Sequence, residues 1–177
     1  MKPHAFAVLA ALSLAACDNP KPRHVPPDPM AAAQPPLDAV IAPPEDGATE
    51  GLARRTEVAV FYLDRVGAAL DPLKNQPAGT PGDAPIVLNG FGFDPVAKAP
   101  AKGVDLAIDG KAYAAAYGGD REDVANYFKA PGLAATGYTL TLPAGFLVNG
   151  PHTVTVRVIA ADGAGYFESP KIPFTVD

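Results

Sequence analysis

The chain has 177 residues and a formal charge of −5, with 21 prolines, 17 glycines, one cysteine and no tryptophan. Its acidic balance, with no basic run longer than Arg54-Arg55, excludes a general nucleic-acid role, which needs cations to displace condensed counterions, and excludes a cationic membrane-surface helix. A single cysteine excludes an intramolecular disulfide, so burial has to hold the fold.

Lys2 and His4 open the chain, and Ala5 to Ala16 then runs apolar apart from Ser13. About twelve residues make ~18 Å of helix, too short for a ~30 Å hydrocarbon core but proportioned as the apolar region of a signal peptide. The run ends Leu14-Ala15-Ala16-Cys17: a branched apolar residue, two small ones, then the only cysteine in the chain. That tetrapeptide resembles the lipobox of bacterial lipoprotein precursors. The resemblance implies cleavage before Cys17, diacylglycerol on its sulfur and acylation of the freed amine. The lipid bilayer is therefore the first expected partner, since several acyl chains anchor far more firmly than one. An ordinary secretory signal, with Cys17 incidental, is the competing reading. Asp18 resembles an inner-membrane retention signal of enteric-type sorting, so the expected location is the cell envelope, facing the periplasm or the exterior, with a lean to the inner membrane.

Residues 1–16 are thus read as signal peptide and 17–55 as a proline-rich spacer. Asp18 to Gly51 carries Pro26-Pro27, Pro35-Pro36 and Pro43-Pro44. Each proline removes a backbone donor and drives the preceding residue toward extended geometry. The expected result is a polyproline-II mast, reaching on the order of 100 Å at ~3.1 Å per residue. Use of these prolines as a ligand for a proline-recognition domain is the alternative. His24 lies here and has no expected catalytic role.

From residue 56 to 177 the pattern changes to short alternating runs between turn residues. Glu57 to Val66 reads as a strand, and Ile86 to Phe93 as another, with Gly90 and Gly92 marking a bulge or close approach. Val104 to Ile108 alternates cleanly, Asp109-Gly110 is a two-residue hairpin signal, and Lys111 to Tyr117 returns as the partner. Asp120 to Phe128 reads as one or two helical turns with Asp120 as N-cap. Tyr138 to Leu142 follows, then Asn149-Gly150 as a turn, His152 to Ala160 as the most regular strand, Asp162-Gly163 as a second hairpin signal, and Ile172 to Val176. About seven strands without a long helix read as an all-β, immunoglobulin-like antiparallel β-sandwich with a short helical insert; a barrel is the competing arrangement.

The stretch from Pro85 to Gly165 also resembles a bacterial immunoglobulin-like module of exported and envelope proteins. The resemblance rests on Tyr117-Gly118, Arg121, Asp123-Val124-Ala125, Asn149-Gly150, His152-Thr153, Val156-Arg157 and Asp162-Gly163. The chain departs from that pattern at Phe91-Gly92-Phe93, where the family often has Gly-Trp-Ala, and in a shortened hairpin strand. The resemblance implies a sandwich and says little about activity.

Reactive groups are scarce. Beyond the signal peptide, Ser169 is the only serine, and His24 and His152 are the only histidines. A nucleophile–base pair has almost nothing to draw on, no metal-ligand spacing or phosphate-binding glycine loop occurs, and no enzyme or cofactor is expected. Four constellations remain. Arg121 and Asp123 either brace the insert, the favoured reading, or display charge to a partner. Asp105, Asp109, Asp120 and Asp162 are candidate calcium ligands, against their ordinary use in hairpins. His152 is a ligand or pH sensor, or a hydrogen-bonding strand residue. Tyr113, Tyr117, Tyr127, Phe128 and Tyr138 form an aromatic face, or fill a core that lacks tryptophan. Tyr117, Arg121, Asp123 and Tyr127 are accordingly the candidate binding residues. The expected function is a non-catalytic module that binds or scaffolds an envelope protein, with a carbohydrate- or peptidoglycan-binding module as the alternative.

The anchor is tested directly. Cys17→Ala is expected to leave an unprocessed precursor that takes up no fatty-acid probe in cells; normal labelling of that variant would refute lipidation at Cys17.

Overall fold

In a computed structural model, which describes residues 41–76 and 78–177, the alternating apolar runs become strands. The expected signal peptide, Cys17 and the spacer as far as residue 40 lie outside the described residues. In chain order the strands are β1 (Ala53–Val58), β2 (Val60–Val66), β3 (Ala69–Leu70), β4 (Ala78–Thr80), β5 (Ile86–Asp94), β6 (Ala99–Pro100), β7 (Gly103–Ile108), β8 (Lys111–Gly119), β9 (Gly137–Leu142), β10 (Gly150–Ile159), β11 (Gly165–Glu168) and β12 (Ile172–Val176). Between β8 and β9 lie the short helix α1 (Glu122–Phe128) and a 3-10 turn, Pro131–Leu133. The domain is all-β, and its twelve strands form one curled sheet.

The curl comes from strands that change partners along their length. β8 pairs with β7 through Lys111–Ala115 and with β9 from Ala116 to Gly119, so it belongs to both halves of the sheet. β10 pairs with β7 along one edge; along the other it takes β12 over Gly150–Val154 and β11 over Arg157–Ile159. Ser169 fills the junction between β11 and β12. Its Oγ accepts the Val156 N–H at 2.9 Å, and its own N–H donates to the Val156 carbonyl at 2.9 Å. Inward-facing Val154, Val156 and Val158 of β10 are fully buried against Leu63, Leu88, Leu106, Leu142, Phe167 and Phe174. Each such side chain contributes roughly 1.5–3 kcal/mol by leaving water.

The expected strands at Ile86, Val104, Lys111, Tyr138, His152 and Ile172 all form, and Asp109-Gly110 makes the hairpin between β7 and β8 with φ of 49° and 92°. Four details differ from the sequence reading. Glu57–Val66 is not one strand: the chain turns inward at buried Ala59, so β1 pairs with β11 while β2 pairs with β5. Folded chain also begins earlier than residue 56. Ala114 donates to the Glu45 carbonyl, Gly47 to the Ala112 carbonyl, and the Thr49 N–H to buried Asp105, which lays this strap over β7 and β8. Asn149-Gly150, expected as a turn, is a bend at Asn149, with Gly150 (φ 137°) already the first residue of β10. Finally, the N-cap of α1 is Arg121, with no side-chain cap, rather than Asp120.

An extra residue in β2 shapes the region that matters below. Leu63 pairs with Gly90 and Arg65 with Asn89, so Asp64 is a bulge residue. Beside the bulge, the buried ring of Tyr138 crosses Gly90 and donates its hydroxyl to the Tyr62 carbonyl at 2.9 Å. A Cβ at Gly90 would lie 1.9 Å from that carbonyl and 2.7 Å from the tyrosine hydroxyl. Gly90→Ala is therefore expected to destabilise the domain by about 3 kcal/mol, the upper end of ordinary overpacking costs, as measured by denaturant unfolding.

Candidate functional site

Period-two alternation on β5 sends Gly90 and Gly92 to the core and Phe91 and Phe93 to the opposite face. On β2, Tyr62 lies opposite Phe91 and Val60 opposite Phe93. Four large apolar side chains on an outward face require a cover, and the chain supplies it directly after β8. Helix α1 and the 3-10 turn bring Val124 and Leu133 onto Phe93, forming a second small core with Val60, Phe91 and Ala130 at its margin. A continuous series of rings results. Tyr62 stacks on Phe91 (centroids 6.3 Å apart), Phe91 on Phe93 (6.5 Å), Phe93 meets Phe128 edge-on (5.0 Å), and Phe128 meets Tyr127 edge-on (5.0 Å).

Arg121 locks the insert to the sheet. Its Nε and Nη2 donate to the two carboxylate oxygens of Asp123 at 2.8 Å each, and Nη1 donates to Asp64 at 2.7 Å. The guanidinium lies 4.9 Å from the centroid of Phe91. Asp64 lies on the same outward face of β2 as Tyr62, two positions before it. The planar fork of arginine suits such bidentate pairing together with a ring beneath it. Hydrogen bonding to Asp123 raises the Arg121 pKa further, and the same bond holds Asp123 below the usual carboxylate range. Burial pushes Asp64 up, against the opposing pull of Arg121. At the far end of α1, Lys129 adopts left-handed backbone (φ 52°) and its N–H closes on the Asn126 carbonyl. This αL residue ends the helix within two turns and leaves Tyr127 80% exposed and Phe128 41% exposed. Beside them, Glu122, Ala125, Asn126, Lys129, Pro131 and Ala134 line an open groove of about 480 Å³.

Of the candidate binding residues, Arg121, Asp123 and Tyr127 share this insert, while Tyr117 does not take part in its surface. The Tyr117 hydroxyl donates to the Gly92 carbonyl at 2.8 Å and accepts the Ala101 N–H at 2.9 Å, tying β8 to β5 and to the segment after β6. Burial raises its pKa. Tyr113 packs on the main core against Phe146, and Tyr138 lies within that core, so the expected aromatic face reduces to Tyr127 and Phe128. The sequence reading missed Tyr62, Asp64, Phe91 and Phe93. The signal was present in Gly90-Phe91-Gly92-Phe93, where glycines on one face leave two phenylalanines needing cover on the other.

The four aspartates considered for calcium are dispersed. Asp105 accepts from Thr49, Asp109 from His152 and Thr153, and Asp162 from Arg55 and the Ala164 N–H, while Asp120 is exposed. Among the described residues, no group of three or more acidic, histidine or cysteine side chains is gathered where it could hold a metal ion. Ser169 and His152 are likewise engaged: Ser169 Oγ also donates to the Pro170 carbonyl at 2.8 Å, and both ring nitrogens of His152 have partners.

Removing the clamp separates the insert from the sheet. Arg121→Ala is expected to lower stability by about 1–2 kcal/mol, discounted for partial exposure, and to raise amide exchange across α1 selectively; Arg121→Lys should restore less than half of the loss, because an ammonium cannot span both carboxylates.

Compared with known proteins, the chain matches no family model, no curated protein and no solved structure, so function has to be read from the residues of the site itself.

Proposed function

We propose that the chain is a lipid-anchored protein of the cell envelope whose immunoglobulin-like domain docks a protein partner on the exposed end of α1. The anchor rests on Leu14-Ala15-Ala16-Cys17, and the mast on the prolines between Asp18 and Pro44. The immunoglobulin-like assignment draws support from strand order. One half of the sheet runs β2-β5-β9-β8 and the other β4-β12-β10-β7-β8, with β4 and β12 parallel, an order that an immunoglobulin-like sandwich would give.

The observation that carries the docking reading is Tyr127, 80% exposed at the end of a series of packed rings. An aromatic held out on a braced element has little side-chain freedom left to lose on binding. Tyrosine is also among the residue types that dominate interface energetics. The engagement of Ser169 and His152 in structural hydrogen bonds favours binding over nucleophilic chemistry. A second reading, glycan binding, draws on the adjoining groove, where the carboxylate of Glu122, the amide of Asn126 and the ammonium of Lys129 offer partners for sugar hydroxyls.

Cross-linking in cells from position 127, followed by mass spectrometry, separates the two. One dominant envelope protein is the expected capture, and it should be lost in Arg121→Ala, which loosens the insert without touching the exposed ring. Absence of a specific capture, together with pelleting of the protein on purified cell wall that Tyr127→Ala reduces, would replace the protein-docking reading by the glycan one.

A further inference from the structure

At the end of the domain where the β7–β8 turn, the loop 143–149 and the start of β10 meet, a single imidazole joins all three. His152 is 8% exposed. Its Nδ1 lies 2.6 Å from Asp109 Oδ2, in the β7–β8 turn, and its Nε2 lies 2.7 Å from the Val148 carbonyl oxygen. Both partners are acceptors with no proton to give. A neutral imidazole has one N–H and one lone pair, and it can satisfy one of these contacts while directing a lone pair at the other. The imidazolium, which donates from both nitrogens, satisfies the geometry in full.

We propose that His152 is a proton-operated clasp: protonated, it fastens the loop 143–149 to the β7–β8 turn, and on losing its proton it releases the loop at Val148. This inference concerns the domain alone and does not depend on the docking reading. Asp109 decides which end opens. A carboxylate is the stronger acceptor, and Asp109 is itself held by the Thr153 N–H at 2.9 Å, so the neutral ring keeps its proton on Nδ1. The proton that leaves for solvent comes from Nε2, and the lone pair left behind faces the Val148 oxygen. The rest of the loop is secured independently of the ring, by Gly145 N–H on the Gly82 carbonyl and by Phe146 against Tyr113. Release is therefore confined to the segment around Val148, a residue already 77% exposed.

The surroundings set the pH window. From β12, Phe174 packs on the ring at 5.5 Å and brings no charge; from the turn comes the Asp109 carboxylate, and from the loop the neutral Val148 carbonyl. Burial lowers the His152 pKa, but the bond to Asp109, the bond to Val148 and the Asp109 charge outweigh it, and the net shift is upward. Asp109 is shifted down, its own burial being outweighed by His152 and Thr153. A raised histidine stabilises the fold fully below its unfolded-state pKa and loses that contribution as pH rises through the folded-state value. A lowered carboxylate stabilises the fold above its unfolded-state pKa and loses that contribution as pH falls through the folded-state value. The clasp is closed between these limits and opens on the alkaline side.

The test is a pH titration of the full chain by nuclear magnetic resonance, following the His152 ring nitrogens and the Val148 methyl groups. Near pH 6, about half a unit below the ordinary histidine pKa, both ring nitrogens should carry protons, and the midpoint should lie above that of free histidine. The Val148 methyl order parameter should fall by about a third or more across the same transition, in proportion to the change expected when a fixed backbone becomes a free loop. Asp109→Asn, at a half-exposed turn position, leaves the fold intact and should lower the midpoint by about one unit or more. His152→Gln should abolish the pH response at Val148. A neutral ring at pH 6, or a Val148 response that is unchanged in both variants, would overturn the proposal.

Discussion

Strand β10 is the constraint on which the domain is built. It is hydrogen-bonded along one edge to β7 and along the other to β12 and then β11, with Ser169 bridging the gap between those two. Because side chains alternate along a strand, sliding β10 by one residue would turn Val154, Val156 and Val158 out of the core and Thr153, Thr155 and Arg157 into it. The same register sets the remote features. It places Thr153 beside the β7–β8 turn, where its carbonyl accepts the Asp109 N–H, and it thereby places His152 beside Asp109. It also aligns Arg157 with Glu168 at 2.9 Å, fixing β11 and, through β11, β1.

The helical insert follows from a second constraint, the passage of β8 from one half of the sheet to the other. Once β8 has joined β9, the chain emerges at the outward face of β2 and β5, where Phe91 and Phe93 stand uncovered. Gly119 and Gly137 permit the crossing: a Cβ on Gly137 would sit 2.9 Å from the Gly119 carbonyl oxygen and 3.2 Å from Arg121 Cγ. Arg121 then leaves the strand beside Asp64, which shares the outward face of β2 with Tyr62, two positions before it. Glycine pair, clamp and aromatic series form one device, and each part has a reason in the others.

That dependence explains what the sequence disclosed and what it withheld. Alternation identified β5, β7, β9, β10 and β12, because one buried face is all that a strand needs to show its period. Asp109-Gly110 located its hairpin, because positive φ at both central residues leaves few other choices. The split of Glu57–Val66 was hidden, since both halves alternate and only the competition between two halves of the sheet decides where the chain turns. The strap at Glu45–Thr49 was hidden for another reason. Its composition is that of the proline-rich stretch before it, and what fixes it is backbone hydrogen bonding to β8 and a buried carboxylate, Asp105, which reads in sequence as one more strand aspartate. For the candidate site, the resemblance and the charge at a helix start pointed to Arg121 and Asp123, and the density of aromatics pointed to Tyr127; the structure brings these three onto one insert. Tyr117 was misplaced because an aromatic that spans a core and reaches two backbone groups with its hydroxyl has the same sequence appearance as one that faces solvent.

A chain with one cysteine cannot cross-link itself covalently, and the two polar clasps take over part of that role. Arg121 ties positions 57 residues apart and His152 ties positions 43 residues apart, separations at which a disulfide would restrict the unfolded chain strongly. A hydrogen-bonded clasp does nothing to the unfolded chain, and it acts only while its groups are charged. The guanidinium of Arg121 stays charged at any pH the fold survives, so the insert it holds stays presented wherever Asp64 and Asp123 are ionised, and the surface proposed for docking is built on that end. The imidazole of His152, with its pKa raised by Asp109 and Val148, loses its proton on the alkaline side, so the loop it holds is conditional. The choice of cation therefore separates the two ends of the domain: arginine where the surface must stay in place, and histidine where the attachment is free to respond to the medium.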